Sequence, residues 1–122
     1  MYSASSARPF DDVVRAVEEN AVRLGLRVLA VHDLAAALRD KGFDHGPIRV
    51  VEVFDARQAS RLLAVEGAAA VLLPCKVVVY ASAGQTRLIA PLASARVGAA
   101  PQARAIAREV DDVLRRVVDT SA

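Results

Sequence analysis

Apolar residues return every three or four positions near the start of the chain: Phe10, Val13, Val14, Val17, Ala21 and Leu24 fall on one stripe. That spacing puts side chains on a single face of an α-helix. Asp11 and Asp12 stand in its first turn and Arg23 in its last, where the helix dipole favours each charge. Pro9 reads as an early helical residue with Ser6 as a nearby cap, and Gly25 as the stop. The period then shortens. Residues 26–31 and 48–54 are β-rich runs, and each is followed by an aspartate, Asp33 and Asp55, suited to cap a helix. The first of these two helices runs to Lys41 and closes at Gly42; in the second, Ala59, Leu62 and Leu63 face inward.

Residues 43–47 form a loop, and residues 68–73 read as either an extended segment or a buried turn leading to Pro74. Residues 76–81 and 86–90 are two strands joined by Ser82-Ala83-Gly84-Gln85, a connection of hairpin length with the expected glycine. After a small, irregular stretch over residues 95–100, Pro101 opens a final helix over residues 101–119. Ile106, Val110, Val113, Leu114 and Val117 line one of its faces. Its other face pairs Arg108 with Asp112, Asp111 with Arg115 and Asp112 with Arg116 at i,i+4 spacing.

A terminal hairpin rules out an all-parallel sheet. The pattern predicts an α+β (two-layer α/β) fold: a mixed sheet of about four strands with helices on one face, in the order helix, strand, helix, strand, helix, hairpin, helix. No repeat, linker or low-complexity tract interrupts it, so residues 1–122 form one domain. The predicted core includes Val13, Val17, Leu24, Leu29, Val51, Val53, Val77, Val79, Leu114 and Val117.

Composition narrows the class. Hydrophobic residues make up 54% and charged residues 25% of 122, which describes an ordinary globular chain and excludes disorder. With 4% aromatic residues and no tryptophan, the core is aliphatic. The net charge is +2, and the fourteen arginines alternate with acids, so no basic footprint for nucleic acid forms and no aromatic platform supports base stacking. The longest apolar run is far short of the roughly 20 residues that span a bilayer, and the first residues do not resemble a signal peptide. One cysteine makes no intrachain disulfide. A cytoplasmic protein that binds neither nucleic acid nor membrane is expected.

The familiar chemical signatures are missing. Six isolated glycines build no phosphate-cradling loop, and there is no His-Glu-x-x-His helix, paired-cysteine knuckle or Gly-x-Ser-x-Gly elbow. What remains is a loose set. Cys75, between Pro74 and Lys76 at the mouth of a strand, is the only soft nucleophile. His32 ends the first strand run, Asp33 follows it, and His45 lies in the loop near Lys41. If the strand ends converge, His32, His45 and Cys75 could share a soft metal ion or form a nucleophile with its base, because a neighbouring histidine lowers a thiol's pKa. Each residue also has a plainer role. Cys75 packs as a small hydrophobe, Asp33 caps a helix, Lys41 answers a helix dipole, and the two histidines are surface chemistry. The expectation is a small ligand or soft metal near Cys75, bound through His32, Asp33, Lys41, His45 and Cys75. Alternatives are a thiol-dependent enzyme with Cys75 as nucleophile and His32 or His45 as base, or a structural interaction module. No cofactor is identified. His32 and Cys75 are expected at the same end of the sheet.

The runs Val28-Leu29-Ala30-Val31-His32-Asp33-Leu34, Leu38-Arg39-Asp40-Lys41-Gly42, Val51-Glu52-Val53-Phe54-Asp55-Ala56-Arg57-Gln58-Ala59 and Leu73-Pro74-Cys75-Lys76-Val77-Val78-Val79-Tyr80, in this order and spacing, resemble the family called domain of unknown function 302. The similarity covers residues 10–91, with the last helix in place after it. The resemblance implies a small two-layer α/β fold of bacteria and archaea, a homodimer, and no established activity. His32, Asp33, Lys41, Gly42, Pro74 and Cys75 match the family pattern. Its members begin with a β-strand, for which only residues 1–8 are available here, so that strand is expected to be very short or absent. Composition adds its own argument for a homodimer. The mean hydropathy of +0.30 is high for a small charged chain, and apolar residues at consecutive strand positions ask for burial on both faces of the sheet.

Overall fold

The computed structural model describes residues Met1–Ala122. Five strands, β1 (Tyr2–Ser6), β2 (Arg27–Asp33), β3 (Ile48–Phe54), β4 (Cys75–Ser82) and β5 (Gln85–Ala90), form one sheet in the order β1-β5-β4-β3-β2. Every neighbouring pair is antiparallel. Four helices accompany it: α1 (Phe10–Arg23), α2 (Leu34–Arg39), α3 (Ala56–Val65) and α4 (Pro101–Ser121). Residues Gly67–Leu72, ambiguous in the sequence, wind as a 3₁₀ helix, and a second short one spans Ala93–Ala95.

The two-layer α+β class holds, with two corrections. The sheet has five strands, not about four, and it is antiparallel throughout instead of mixed. The additional strand is β1, which pairs with β5 from Tyr2 opposite Ala90 to Ser6 opposite Thr86. Its sequence, Tyr-Ser-Ala-Ser-Ser, has little β propensity. Tertiary contacts hold it instead: the Tyr2 hydroxyl donates to the Asp119 carboxylate at 2.6 Å, and Arg115 lies 5.8 Å from the Tyr2 ring centre. The Asp119 bond, with burial and Asp119's charge behind it, raises the Tyr2 pKa.

Alternation along the strands sets one face against helices. Val51 and Val53 of β3, Val77 and Val79 of β4, and Leu88 and Ala90 of β5 are buried beneath Val13, Val14, Val17 and Ala21 of α1 and Leu114, Val117 and Val118 of α4. A smaller cluster, Leu62, Ala69, Ala103 and Ile106, joins α3 and the first 3₁₀ turn to α4. Asp33 and Asp55 cap α2 and α3, accepting from the backbone N–H of Ala36 and from those of Arg57 and Gln58. Pro9 is the residue before α1 and not inside it, while Ser6 accepts from Arg8 N–H. Gly25, at φ +90°, turns the chain out of α1.

One residue predicted in the core lies outside it, and a second packs only at its border. Leu29 is 45% exposed because β2 bulges between Val28 and Ala30, leaving Leu29 without a partner in β3. Leu24 is only half-buried. In α3, Leu63 also faces solvent.

Candidate functional site

The ladder decides which candidate residues can meet. Cys75 opens β4 opposite Val53, a residue of the helix-covered face. His32, near the end of β2, stands opposite Val50, on the uncovered face. Val50 and Val53 are three rungs apart on β3, and Cys75 and His32 lie in the strands on either side of it. With a rise of roughly 3.3 Å per residue and strands roughly 4.8 Å apart, their backbones are about 14 Å apart. Opposite ends and opposite faces keep the two side chains from a common ligand, which corrects the expectation of a shared end. His32 instead meets Glu52 at 3.0 Å between Nε2 and Oε1.

Asp33 and His45 come together elsewhere, at the end of the sheet remote from Cys75. They line a groove of about 430 Å³ with Pro9, Phe10, Asp11, Ala35, Arg39, Pro47 and Arg49. Lys41, just beyond α2, does not line it. The five candidates are thus divided over separate places, and no cluster of three or more His, Cys, Asp or Glu side chains forms a cage for a metal ion.

The surroundings of Cys75 are the most built. On one side Leu26, Val53, Ala59, Leu62, Leu73, Val110, Val113 and Leu114 line an apolar cleft with about 20 Å³ of free space, room for one water. On the other side a cleft of about 100 Å³ is bordered by Leu72, Pro74, Lys76, Pro91, Leu92 and Arg96. Cys75 belongs to both walls. The Leu73–Pro74 peptide beside it is cis. Burial, and secondarily the charge of Asp111, push the Cys75 thiol up to about 11, so it stays protonated at neutral pH. An activated thiolate requires the opposite displacement.

The i,i+4 spacing pairs Asp111 with Arg115 on the solvent face of α4. Asp111 is buried instead, and accepts from the backbone N–H groups of Ala93 and Ser94. The signal was available: Asp111 shares its helical phase with Ala107, Leu114 and Val118, all buried. Arg115 turns to Asp112 at 3.2 Å. Lys76 and Arg96, neither within 4.0 Å of an acid, complete the second cleft. Arg96 carried no sequence signal beyond its charge, because its neighbours are small and irregular.

A five-stranded antiparallel sheet covered on one face by two long helices, with a cleft around a half-buried thiol at one end, defines a small two-layer α+β domain. The family model "Domain of unknown function DUF302" matches residues 2–121, and the chain belongs to that family. It is similar to the crystal structure of an uncharacterized conserved DUF302 protein from Bacillus stearothermophilus, with a TM-score of 0.93 and 27% identity, over 99% of this chain and 97% of that one. No curated protein matches the chain. No helix is long and apolar enough to cross a membrane.

Proposed function

We propose that this domain is a homodimeric binding module that takes up a small organic anion beside Cys75. The observation that carries the reading is the position of Cys75 in the wall between an apolar cleft and one edged by Lys76 and Arg96. Arg96, and Lys76, which faces Glu52 across the β3–β4 ladder but makes no ion pair within 4.0 Å, attract an oxyanion, and the aliphatic side chains around the sulfur suit an apolar body. About 100 Å³ on the cationic side admits a carboxylate or phosphate head, while the nearly filled apolar side must part to admit a tail. A protonated thiol suits packing against a ligand better than attacking one, and neither histidine is at hand to activate it. The nucleophile reading therefore has less support than the binding reading.

Support for the dimer comes from the uncovered sheet face. Ile48, Val50, Phe54, Val78, Tyr80 and Ile89 alternate with the core residues, are only half-buried, and point away from the helices. Arg87 shares this face, opposite Tyr80, and its Nε is buried without an acceptor. A second copy laid on the face would shield the apolar side chains and bring acceptors to Arg87. Five strands of this length present roughly 500 Å² in plan, more once side-chain relief is counted, against roughly 600–1,000 Å² per partner in specific interfaces. Two-fold pairing is the commonest soluble assembly.

Titration with octanoate, followed by backbone NMR, tests the binding reading. Saturable shifts at residues 53, 62, 73–76, 91–96 and 110–114, weakened at least tenfold in a Lys76→Ala, Arg96→Ala double variant, are expected. Shifts that do not saturate, or that ignore the double variant, would overturn it.

A further inference from the structure

A second groove, remote from Cys75 and independent of the reading given to it, lies where β2 ends and β3 begins. Its charged groups divide into those already engaged and those left over. Asp33 caps α2 through Ala36 N–H at 2.9 Å and pairs with Arg49 at 3.2 Å. Arg49 in turn lies 5.4 Å from the centre of the Phe10 ring. These three are locked to one another, and Pro9 and Pro47, with fixed φ, stiffen the lips on either side. Arg39, His45 and Asp11 also line the groove, yet none has an ion-pair partner within 4.0 Å.

The groups without an ion-pair partner are thus of both signs, Arg39 and Asp11, the latter also in the first turn of α1. A simple anion would meet Arg39 and His45 but be repelled by Asp11, and a simple cation would meet Asp11 but be repelled by Arg39. A ligand carrying both charges meets groups of both signs along the groove. The free volume of about 430 Å³ falls within the roughly 300–1,000 Å³ of small-molecule sites. The Asp33–Arg49–Phe10 lock also means that the wall is ordered before anything binds, which lowers the entropic cost of binding. We infer that this groove binds a small zwitterion of the α-amino-acid class, its carboxylate at Arg39 and His45 and its ammonium at Asp11.

The common L-amino acids, offered one at a time to the full chain and followed by backbone NMR, test the inference. Acetate and ethylammonium serve as the two half-ligands. At least one amino acid should give saturable shifts confined to residues 9–11, 33–39 and 45–49, with both half-ligands at least tenfold weaker. Arg39→Ala and Asp11→Asn, both at exposed positions, should each weaken that binding tenfold or more while the remaining resonances stay in place. Three results would overturn the site: no saturable response to any amino acid, acetate binding as tightly as the amino acid, or Asp11→Asn strengthening the response, as it would for a plain anion. Shifts confined to the Cys75 region would also overturn it, leaving the first cleft as the amino-acid site.

Discussion

The carboxylate of Asp111 accepts a 2.6 Å hydrogen bond from the backbone N–H of Ala93, and its other oxygen accepts from Ser94 at 3.2 Å. With 1% of its surface exposed, Asp111 lies in α4 among the apolar residues of that helix and ties it to the 3₁₀ turn that follows β5. That turn carries the chain from Pro91 to Arg96, along the wall of the cationic cleft at Cys75. One side chain therefore fixes both the last helix and one border of the candidate site.

Removing it should cost more than an ordinary hydrogen bond. Bonds to a charged acceptor contribute roughly 1.5–3 kcal/mol, and of the donors left behind the Ala93 N–H is buried and the Ser94 N–H partly so. Asp111→Ala should lose about 2–4 kcal/mol in chemical denaturation. Asp111→Asn, which keeps one carbonyl acceptor, should lose less. Equal stability of both variants and the parent would mean that the turn is held by other contacts.

Cys75 makes a prediction in pH. Its folded pKa of about 11 lies above the 9.0 of a free thiol, so between these values the folded state holds the proton more tightly than the unfolded state. The native state binds more protons there, and linkage makes stability fall as pH rises. The contribution is complete below about pH 9 and lost through about pH 11. At roughly 1.4 kcal/mol per pKa unit, the alkaline loss should be about 2–3 kcal/mol. Cys75→Ala should flatten that part of the pH–stability curve, while the response of Tyr2, whose pKa is also raised, remains in both proteins. The same shift predicts slow alkylation of the folded protein at neutral pH. Parallel curves for parent and variant would place the thiol in a wetter setting.

Wherever one face of an element is buried and the other wet, the fold was legible in the residues. The stripe from Phe10 to Leu24, the aspartate caps at 33 and 55 and the hairpin at Ala83-Gly84 appear in the structure as the spacing predicts. β1 was hidden because its five residues are small or polar and it is held by contacts to β5 and α4, which no local pattern reveals. The bulge at Leu29 was hidden for a related reason: an inserted residue leaves composition untouched and shifts only the pairing. The candidate site suffered most from this. Asp33, His45 and Cys75 are recognisable as chemistry-bearing residues, but which of them share a place depends on ladder register and strand parity, and these separate His32 from Cys75.

The hairpin itself carries strain. Ala83 sits at φ +51° and Gly84 at +78°, the pair of left-handed conformations of a two-residue type I′ turn. Glycine adopts this freely, while alanine is held there against its Cβ. Asparagine tolerates the conformation better and precedes glycine in the favoured form of this turn. Ala83→Asn should raise stability by about 0.5–1 kcal/mol and increase the thermal midpoint accordingly. A lower midpoint would show that the turn relies on something other than backbone preference.

Core truncations should divide according to the ladder and not according to hydrophobicity. Leu114 is fully buried between α1 and the sheet, so Leu114→Ala should cost roughly 2–5 kcal/mol. Leu29 is the same residue type at the unpaired bulge, exposed to solvent, and Leu29→Ala should stay within about 0.5 kcal/mol. Comparable losses for both would mean that Leu29 is covered in solution, and the cover would have to come from a second molecule.

The proposed dimer is tested at the centre of the uncovered face. Val78 stands opposite both Val50 and Ile89, so the three form an apolar row across β3, β4 and β5. None of them contributes to the buried core on the helix side. A charge at position 78 therefore leaves that core alone while making the face costly to bury, because an unpaired ion loses its hydration and two-fold symmetry brings in a second one. Sedimentation equilibrium at micromolar concentration should give a dimer mass for the parent and a monomer mass for Val78→Asp. Circular dichroism should report the same helix content in both. The parent's thermal midpoint should rise with protein concentration, as mass action requires of an assembly that binds only folded chains, and that dependence should vanish in the variant. A parent that sediments as a monomer with a concentration-independent midpoint would show that water alone covers this face.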